Sequence, residues 1–383
     1  MTLRKLLLTT HLWIGLMAAP FLAVVGLTGA ILVFEDPLDQ ALNARLLRAT
    51  APGPVLPLAE LDRRLETAHP GYRAAGVTFP GTDGIAYAVD LAAADGRPDL
   101  NLFVDPHDAR VLGSVAEQRT LLGKVHQAHT RLLAGQTGRT IVGWTGVLLV
   151  LLSLSGLVLW WPGKILWVHR TGTRRRIVFE LHNMLGGLCW LFLLGFGLTG
   201  MVIHWNGPAL QWASRLGGTA LPGPFPDTAP GCTGAAGAAP LPLDRIVDAA
   251  VAAMPGARVT AVHAAYRGPA RVFMKFPEDR TPAGRTNVFV DGCSGQILDA
   301  RSARTAPAAY RAVAMWNREI HTGDLWGWPT RLLACLVSLV LPVMALTGPV
   351  MWWSKRRRGA RRTAVLPATV EIAAGRALSG LPG

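Results

Sequence analysis

Four long apolar stretches interrupt a chain of 383 residues in which polar and apolar positions are otherwise mixed. Each is about as long as the roughly 20 mostly apolar residues that a helix needs to cross a bilayer. The first follows Arg4 and Lys5 as a signal peptide would, but it ends in Phe34-Glu35-Asp36 instead of the small residues of a cleavage site. We therefore predict four membrane-spanning helices, the first an uncleaved anchor. They cover Leu12–Phe34, Ile141–Trp161, Leu181–Trp205 and Leu332–Trp353.

The two long segments between these stretches share one pattern, a helix followed by strands. Leu58, Leu61 and Leu65 are spaced as on one helix face, which predicts a helix over Pro57–Ala68, and Leu243–Ala250 repeats this spacing. Alternating apolar and polar positions then predict three strands in each segment. Each segment is thus predicted to be a small α+β module. The predicted strands are Tyr72–Phe79, Ile85–Leu91 and Leu100–Val104, then Arg258–Tyr266, Arg271–Phe276 and Thr286–Val290.

The two halves of the chain repeat each other. One set of positions recurs 171 residues later: His11, Gly15 and Gly26-Leu27-Thr28-Gly29 recur as His182, Gly186 and Gly197-Leu198-Thr199-Gly200. A second set recurs 192 residues later: His129, Arg139, Gly156, Trp160 and Trp161 recur as His321, Arg331, Gly348, Trp352 and Trp353. Each half is a helix, a module and a helix in the same orientation. This predicts a four-helix bundle from a parallel tandem duplication, with a pseudo-two-fold axis along the membrane normal.

The net charge of +14 is concentrated beside the predicted helices. The short flanking segments carry 14 Lys and Arg residues but two acids, Glu180 and Glu371, so that +12 of the surplus lies on one side of the membrane. The positive-inside rule makes that side cytoplasmic. The apolar content of 50% and the four cysteines exclude a disordered, fibrous or disulfide-framework protein. Since topology accounts for the basic surplus, we expect a lipid bilayer and no nucleic acid as the partner.

This topology places both termini in the cytoplasm and both modules outside it. It divides the chain into 1–35 (first membrane helix), 36–125 (first module), 126–162 (outer segment and second helix), 163–180 (basic cytoplasmic loop), 181–205 (third helix), 206–320 (second module), 321–354 (outer segment and fourth helix) and 355–383 (basic cytoplasmic tail).

Four of the ten histidines occupy repeat-equivalent positions at helix ends. The topology puts His11 and His182 at the cytoplasmic boundary and puts His129 and His321 at or just beyond the outer boundary. The pseudo-two-fold axis makes the members of each pair face each other, as the axial ligands of a bis-histidine haem do. Ionisable groups at membrane depth are functional candidates by default. We therefore predict two haem irons, one ligated by His11 and His182 and one by His129 and His321.

Other residues of the repeat suit a flat cofactor that carries carboxylates. Gly15 and Gly186 follow their histidines by about one helical turn, where a side chain would collide with a porphyrin. Gly29 and Gly200, on the same face five turns from the histidines, are predicted to permit close helix packing. Symmetric cations suited to propionates accompany each predicted haem: Arg139 with Arg331 on the outer side, and Arg4 with Arg175 on the inner side.

The histidines also have other interpretations. A single interfacial histidine is commonly just an amphipathic residue, and a zinc or copper site would usually add a carboxylate or thiolate that these pairs lack. His126 and His204 break the repeat, and each is a secondary candidate for iron ligation, a substrate contact or a polar cap. Cys232 and Cys293 lie in the same outer module, where an oxidising compartment would allow a disulfide, and the sequence leaves this open.

These residues resemble the PepSY-associated transmembrane family, which includes bacterial iron-regulated membrane proteins and FoxB-type ferric-siderophore reductases. The resemblance covers almost the whole chain, as far as Arg362. It implies a bacterial inner membrane, four helices, two extracytoplasmic PepSY-like modules and, in the reductase branch, two haem b groups held by the two histidine pairs. The motifs that carry it are His11-Leu12-Trp13-x-Gly15, His129-x-x-Leu132, His182-x-x-x-Gly186, His321-Thr322-Gly323, and Thr-Gly or Ser-Gly followed by Trp near helix ends.

The function that we expect is electron transfer across the inner membrane from a cytoplasmic donor or a quinol to a ferric siderophore. Hard oxygen ligands bind Fe(II) more weakly than Fe(III), so reduction releases the metal. No Gly-x-Gly-x-x-Gly fingerprint stands between a strand and a helix, so the electron donor is expected to be a separate molecule. Two alternatives stay open: a haem-free PepSY protein that regulates a peptidase or signalling partner, and a transporter of iron or siderophore.

Overall fold

The computed structural model of the protein describes residues 2–93, 95, 97–114, 121–169, 171–220, 223, 226, 240–263, 269–281 and 283–377, with side chains as far as Arg357. A π-helical turn spans Arg311–Trp316, directly before the α-helix that begins at Asn317. In chain order the α-helices are α1 (Leu3–Leu32), α2 (Glu35–Leu42), α3 (Ala44–Leu47), α4 (Leu58–Ala68), α5 (Leu121–Arg131), α6 (Gly135–Trp160), α7 (Arg174–His204), α8 (Asn206–Gly217), α9 (Leu243–Ala253), α10 (Ala308–Tyr310), α11 (Asn317–Thr322) and α12 (Trp328–Ala377).

Four of these helices, α1, α6, α7 and α12, are the ones in the described chain that are long and apolar enough to cross a membrane. The prediction of four membrane helices is confirmed, and the chain is a helical membrane protein. Each helix begins before its apolar stretch: α1 already includes Arg4 and Lys5, and α7 begins at Arg174. Lys and Arg are good helix formers whose long side chains can reach the membrane surface, so the helix continues where hydropathy ends.

The chain divides into two compact units. The first, here called the helical unit, comprises Met1–Ala30, Ala128–Met201 and Cys335–Gly383. The second, here called the sheet unit, comprises Ile31–Gln127 and Val202–Ala334. The helical unit therefore holds most of each membrane helix, and the sheet unit holds all of the strands.

Close approaches at glycine hold neighbouring helices of the helical unit together. A Cβ atom at Gly26 of α1 would lie 2.6 Å from the Cβ of Leu341 on α12. A Cβ atom at Gly197 of α7 would lie 3.1 Å from the carbonyl oxygen of Gly146 on α6. Small residues permit such contacts between membrane helices, where packing replaces the hydrophobic effect. The buried core of this unit takes residues from all four helices: Ala18, Leu22, Leu149, Leu193, Val337, Val340 and Leu341.

The sheet unit contains one antiparallel sheet of eight strands in the order β4-β3-β2-β1-β5-β6-β7-β8. Its strands are β1 (Tyr72–Thr78), β2 (Tyr87–Ala93), β3 (Leu100–Val104), β4 (Val111–Ser114), β5 (Arg258–His263), β6 (Ala270–Lys275), β7 (Thr286–Val290) and β8 (Ile297–Arg301). Strands β1 and β5 pair over three residues and so join two four-stranded halves. One core beneath the joined sheet contains Leu61 and Leu65 of α4 together with Ile246 and Ala250 of α9.

The structure adds strands β4 and β8, which the sequence pattern did not predict. Both are short strands at the two edges of the sheet, and β4 contains a glycine, Gly113. Pairing with β3 and β7 stabilises them, and pairing between strands cannot be seen in local alternation. The predicted strand Arg258–Tyr266 is present as far as His263, and its last three residues lie outside the described chain.

A buried aspartate organises the turn after β3. Asp105 is 0% exposed and accepts hydrogen bonds from the backbone N–H groups of Thr50, Ala51 and His107 at 2.8, 3.0 and 3.0 Å. Burial alone would raise the pKa of Asp105, but these hydrogen bonds outweigh burial and hold the pKa below its ordinary value. The charged carboxylate thus connects the segment before α4 to the β3–β4 turn.

The equivalent turn after β7 contains Asp291, which accepts backbone hydrogen bonds from Cys293 at 3.0 Å and Ser294 at 2.8 Å. Cys293 is disulfide-bonded, whereas Cys189 and Cys335 are free thiols. The partner that the sequence allowed for it, Cys232, lies outside the described residues. A disulfide at this position suits a module exposed to an oxidising compartment.

Candidate functional site

The helical unit contains a partly open cavity of about 740 Å³ lined by α1, α6, α7 and α12. This volume is within the range of roughly 300–1,000 Å³ that is usual for cofactor and small-molecule sites. His11 of α1 and His182 of α7 both line the cavity. The structure thus brings the first predicted histidine pair into one cavity, surrounded mostly by leucine, glycine and tryptophan.

Each of these histidines is held by a hydroxyl group from the next membrane helix. The Nδ1 atom of His11 is 2.9 Å from the Oγ of Ser155 on α6. The Nδ1 atom of His182 is 2.8 Å from the Oγ1 of Thr347 on α12. Among the described residues, no hydrogen bond to the Nε2 atom of either ring accompanies these contacts. Each imidazole therefore has one nitrogen tied to the protein and one nitrogen available to a ligand in the cavity.

Glycines make room both for the rings and for a ligand between them. A Cβ atom at Gly156 would lie 3.3 Å from Cε1 of His11, so the ring rests against the backbone of α6. Gly348 lies beside the His182 ring in the equivalent position, where a Cβ atom would make an ordinary contact at 3.8 Å. Gly15 and Gly186, one turn beyond the histidines, line the cavity.

Positively charged side chains line the cavity near the first turns of α1 and α7. Arg4 and Arg175, which the sequence selected, are both present, and Arg176 and Lys355 join them. Arg176 is bound to the buried carboxylate of Glu180 at 2.7 Å, so its charge is compensated. Arg4, Arg175 and Lys355 have no carboxylate partner within the described part of the chain, and they can accept an anionic group of a ligand.

His129 lies in the last turn of α5 and packs against α1. Its Nδ1 atom is 3.0 Å from the carbonyl oxygen of Val25 and 3.2 Å from the Oγ1 of Thr28. A Cβ atom at Gly29 would lie 3.0 Å from Cε1 of this ring. Gly29 therefore makes room for an imidazole, and the Oγ of Ser338 on α12 would also lie 3.7 Å from the same Cβ position, so the glycine borders a neighbouring membrane helix as well.

A tight turn returns the chain from α5 into α6 beside His129. Leu132 and Leu133 have positive φ angles of 49° and 57°, a left-handed conformation that is uncommon for residues with a side chain. Gly138 follows so closely that a Cβ atom there would overlap the carbonyl group of Arg131.

The positions of His11 and His129 are well separated along α1. Thr28, which contacts His129, is 17 residues beyond His11, and this corresponds to about 25 Å along the helix.

His321 lies on α11 in the sheet unit, whereas His129 belongs to the helical unit, so the second histidine pair stays a prediction from the sequence. The buried carboxyl of Glu319 on α11 lies near the half-buried Arg285. Burial raises the pKa of Glu319, and the nearby charge of Arg285 opposes that rise. Burial in turn lowers the pKa of Arg285.

The remaining predicted residues have individual surroundings. Arg331 donates from Nε to Oδ1 of Asp324 at 2.7 Å, and its Nη2 lies 2.7 Å from the same oxygen, so Asp324 compensates its charge. Arg139 is exposed on α6. His126 is 3.6 Å from the carboxylate of Glu35. The His204 ring meets the edge of the Trp205 ring at 4.5 Å. The structure does not bring any of these four to the cavity.

Ser155, Thr347 and Thr28 are the site residues that sequence analysis missed. The signal was present, because Ser155-Gly156 and Thr347-Gly348 recur at the 192-residue offset that identified their glycines. A hydroxyl residue in a membrane helix is common, however, and only the folded chain shows that each one meets a histidine.

The fold and this cavity define a class: membrane proteins that enclose a histidine-lined, mostly apolar cavity within four helices. The chain belongs to the PepSY-associated TM region family, whose family model matches residues 8–355. This match confirms the family that the histidine and glycine motifs indicated. No curated protein matches the chain.

Proposed function

We propose that His11 and His182 are the axial ligands of a haem b in the cavity of the helical unit. One observation carries the proposal: two repeat-equivalent histidines line one cavity, each with Nδ1 tied to a hydroxyl and Nε2 without a protein partner. Two neutral imidazoles suit a haem, because the porphyrin supplies the other ligands of the iron. No group of three or more His, Cys, Asp or Glu side chains that could hold a metal ion occurs in the described chain.

The other lining residues match the parts of a haem. Gly15 and Gly186 leave a flat ring the space that side chains would fill, and the leucines of all four helices offer it an apolar contact. Arg4, Arg175 and Lys355 would neutralise the propionates. A haem held in this way supplies one-electron redox chemistry, while the protein sets its position and its access to water.

The second haem of the proposal is assigned to His129 and His321, with Arg139 and Arg331 nearby in the sequence repeat. Its support is the repeat itself, together with the packing of His129 on Thr28-Gly29, which resembles the packing of His11 on Ser155-Gly156. We attribute the repeat to a tandem duplication, and the two PepSY-like modules to the two four-stranded halves of the sheet.

The function proposed for the whole chain is reduction of a ferric siderophore on the extracytoplasmic side of the bacterial inner membrane. One electron from a cytoplasmic reductant or a quinol converts Fe(III) to Fe(II), which the siderophore holds more weakly and releases. The resemblance of the chain to ferric-siderophore reductases supports a ferric siderophore as the substrate. The concentration of Lys and Arg beside the membrane helices supports cytoplasmic termini.

The visible spectrum of the purified protein tests the proposal. We expect a Soret band and sharp α and β bands on reduction, with a haem content of two per chain. His11→Ala and His182→Ala should each lose about half of the haem, and His129→Ala should lose the other half. His69→Ala, which removes a histidine outside the membrane helices, is the matched control and should keep both.

A folded but colourless protein would overturn the haem proposal and leave a regulatory PepSY protein or a transporter as the function to test. If haem is present, substrate is tested by mixing the reduced protein with ferric siderophore in the presence of an Fe(II) chelator. Oxidation of the haem with matching formation of the Fe(II) chelate supports a reductase. Uptake of siderophore into liposomes without any change in haem oxidation state supports a transporter.

A further inference from the structure

Each membrane helix of the chain carries a Ser-Gly or Thr-Gly pair whose hydroxyl group is bound to its own helix. The hydroxyl of Thr28 donates to the carbonyl oxygen of Val24 at 2.6 Å. The other three follow the same rule: Ser155 to Leu151 at 2.6 Å, Thr199 to Gly195 at 2.7 Å and Thr347 to Val343 at 2.9 Å. A hydroxyl group has one proton, so an oxygen that donates in this way can only accept any further hydrogen bond.

Three of these oxygens face the Nδ1 atom of a histidine. The distances are 2.9 Å from Ser155 to His11, 2.8 Å from Thr347 to His182 and 3.2 Å from Thr28 to His129. Because each oxygen donates its proton to its own helix, the contact with the ring is a hydrogen bond when Nδ1 carries the proton. The position of His129 supports the same conclusion independently, since its Nδ1 also lies 3.0 Å from a backbone carbonyl oxygen, which has no proton to donate.

A neutral imidazole that is protonated at Nδ1 has its lone pair on Nε2. This tautomer is the one that can ligate a metal through Nε2, and a hydrogen bond from Nδ1–H also makes Nε2 a stronger donor. The glycine after the hydroxyl residue allows the close arrangement at His11 and His129, because a Cβ atom at Gly156 would lie 3.3 Å from the His11 ring and one at Gly29 would lie 3.0 Å from the His129 ring.

We propose that Ser155 and Thr347 are positioning residues that fix His11 and His182 in the Nδ1-protonated tautomer and so prepare both Nε2 atoms as metal ligands. The statement about the tautomer stands on the hydrogen bonds alone, whereas the identity of the ligand as haem rests on the proposed function. Each contact also joins two helices, α1 to α6 and α7 to α12, and so fixes the rotation of each ring.

The haem-free protein provides the first test. Solid-state ¹⁵N spectra of protein labelled at histidine, in lipid bilayers, report which ring nitrogen carries the proton, and His11→Ala and His182→Ala difference spectra assign the signals. We expect both rings to be protonated at Nδ1 in the unaltered chain. Ser155→Ala should give His11 a second signal with the proton on Nε2, and Thr347→Val should do the same for His182.

Ser153→Ala is the matched control. Ser153 lies on the same helix, lines the same cavity and donates to the carbonyl of Leu149 at 2.8 Å, but it is bonded to no histidine. Ser155→Thr keeps the hydroxyl and should restore the original tautomer. Protonation at Nε2 in the unaltered chain, or an unchanged His11 signal in Ser155→Ala, would overturn the proposal whether or not haem binds.

The haem-loaded protein provides a second readout. Loss of a ligand's outer hydrogen bond commonly weakens metal binding by about 10–100-fold. We expect Ser155→Ala to weaken binding of Fe(III) haem more than binding of Fe(II) haem, because Fe(III) depends more on a strongly donating imidazole. The variant should therefore raise the reduction potential of the haem. A tenfold difference between the two oxidation states corresponds to about 59 mV. Haem that binds with unchanged potential and unchanged tautomer would refute the positioning role and leave the proposed function standing.

Discussion

The guanidinium group of Arg331 is bound to the carboxylate of Asp324 by two contacts of 2.7 Å, and both side chains are largely buried. Removing one partner leaves the other charge without compensation, which commonly costs about 1–3 kcal/mol at a partly exposed site. We expect Asp324→Asn and Arg331→Gln each to lower the thermal unfolding midpoint in detergent. The double variant should lose less than the sum of the two, and additive losses would show that the pair does not act as a unit.

Close packing at Gly26 makes a clear prediction for the helical unit. In Gly26→Ala the new methyl group would lie 2.6 Å from Leu341 Cβ and 2.8 Å from the carbonyl oxygen of Ser338, so α1 and α12 must move apart. Overpacking of this kind costs about 1–3 kcal/mol. Gly195→Ala on α7 is the control, since nothing lies within 4 Å of its new methyl group. Equal unfolding midpoints for the two variants would contradict the helix contact.

Gly15 tests whether the cavity is the haem site. A Cβ atom added at Gly15 would have Leu152 as its nearest neighbour, at an ordinary contact distance of 3.7 Å. The helix therefore tolerates a side chain at this position, and the outer part of that side chain would enter the cavity. We expect Gly15→Leu to fold and to lose at least about tenfold in affinity for haem. The comparison is Gly195→Leu, and the measurement is absorbance of the extracted haem per protein. Full haem content in Gly15→Leu would place the ligand elsewhere.

The cations of the cavity predict a charge-dependent affinity. Hydrogen bonds to charged groups contribute about 1.5–3 kcal/mol, which corresponds to a factor of ten or more in binding. Arg4→Met and Arg175→Met should each weaken haem binding by about that factor. Lys5→Met removes a neighbouring charge that does not line the cavity, and it should have little effect. If haem whose propionates are esterified is equally weakened by Arg4→Met, the arginine does not bind a propionate.

Asp105 predicts acid sensitivity of the sheet unit. Its pKa is held below the ordinary value in the folded chain, so the stabilisation is complete above the unfolded pKa of about 3.9 and is lost as pH falls through the folded pKa. Thermal unfolding measured between pH 3 and 6 should show this loss at the acid end. Asp105→Asn should be less stable at pH 6 and should depend less on pH, whereas the exposed Asp99→Asn should follow the unaltered chain.

Local patterns were sufficient for much of the fold. The four membrane helices follow from uninterrupted apolar stretches, and Leu61 and Leu65, spaced at a helical interval, are both fully buried. Helix ends were less accurate, since α1 starts nine residues before the predicted Leu12. Short edge strands such as β4 were missed because they depend on a pairing partner. The join between β1 and β5 was missed for the same reason, since Val77 and Val262 are distant in the sequence.

The candidate site divides in the same way. The repeat identified His11, His182, Gly15 and Gly186, and the structure places all four on one cavity. The sequence also identified His129 and His321, but a repeat offset says which positions are equivalent and not which positions touch. Arg331 illustrates the difference, because its repeat suggested a ligand contact and the folded chain gives it Asp324.

By itself, the sequence determined the number of membrane helices, the order of helices and strands in each half, and which histidines occupy repeat-equivalent positions. Hydropathy and repeated spacings can be recognised along the chain without knowing how the helices pack. The tertiary structure alone decided that Ser155 meets His11 and that Thr347 meets His182, residues separated by 144 and 165 positions. Such contacts depend on how each helix is rotated about its axis, and only the packing of all four helices fixes that rotation.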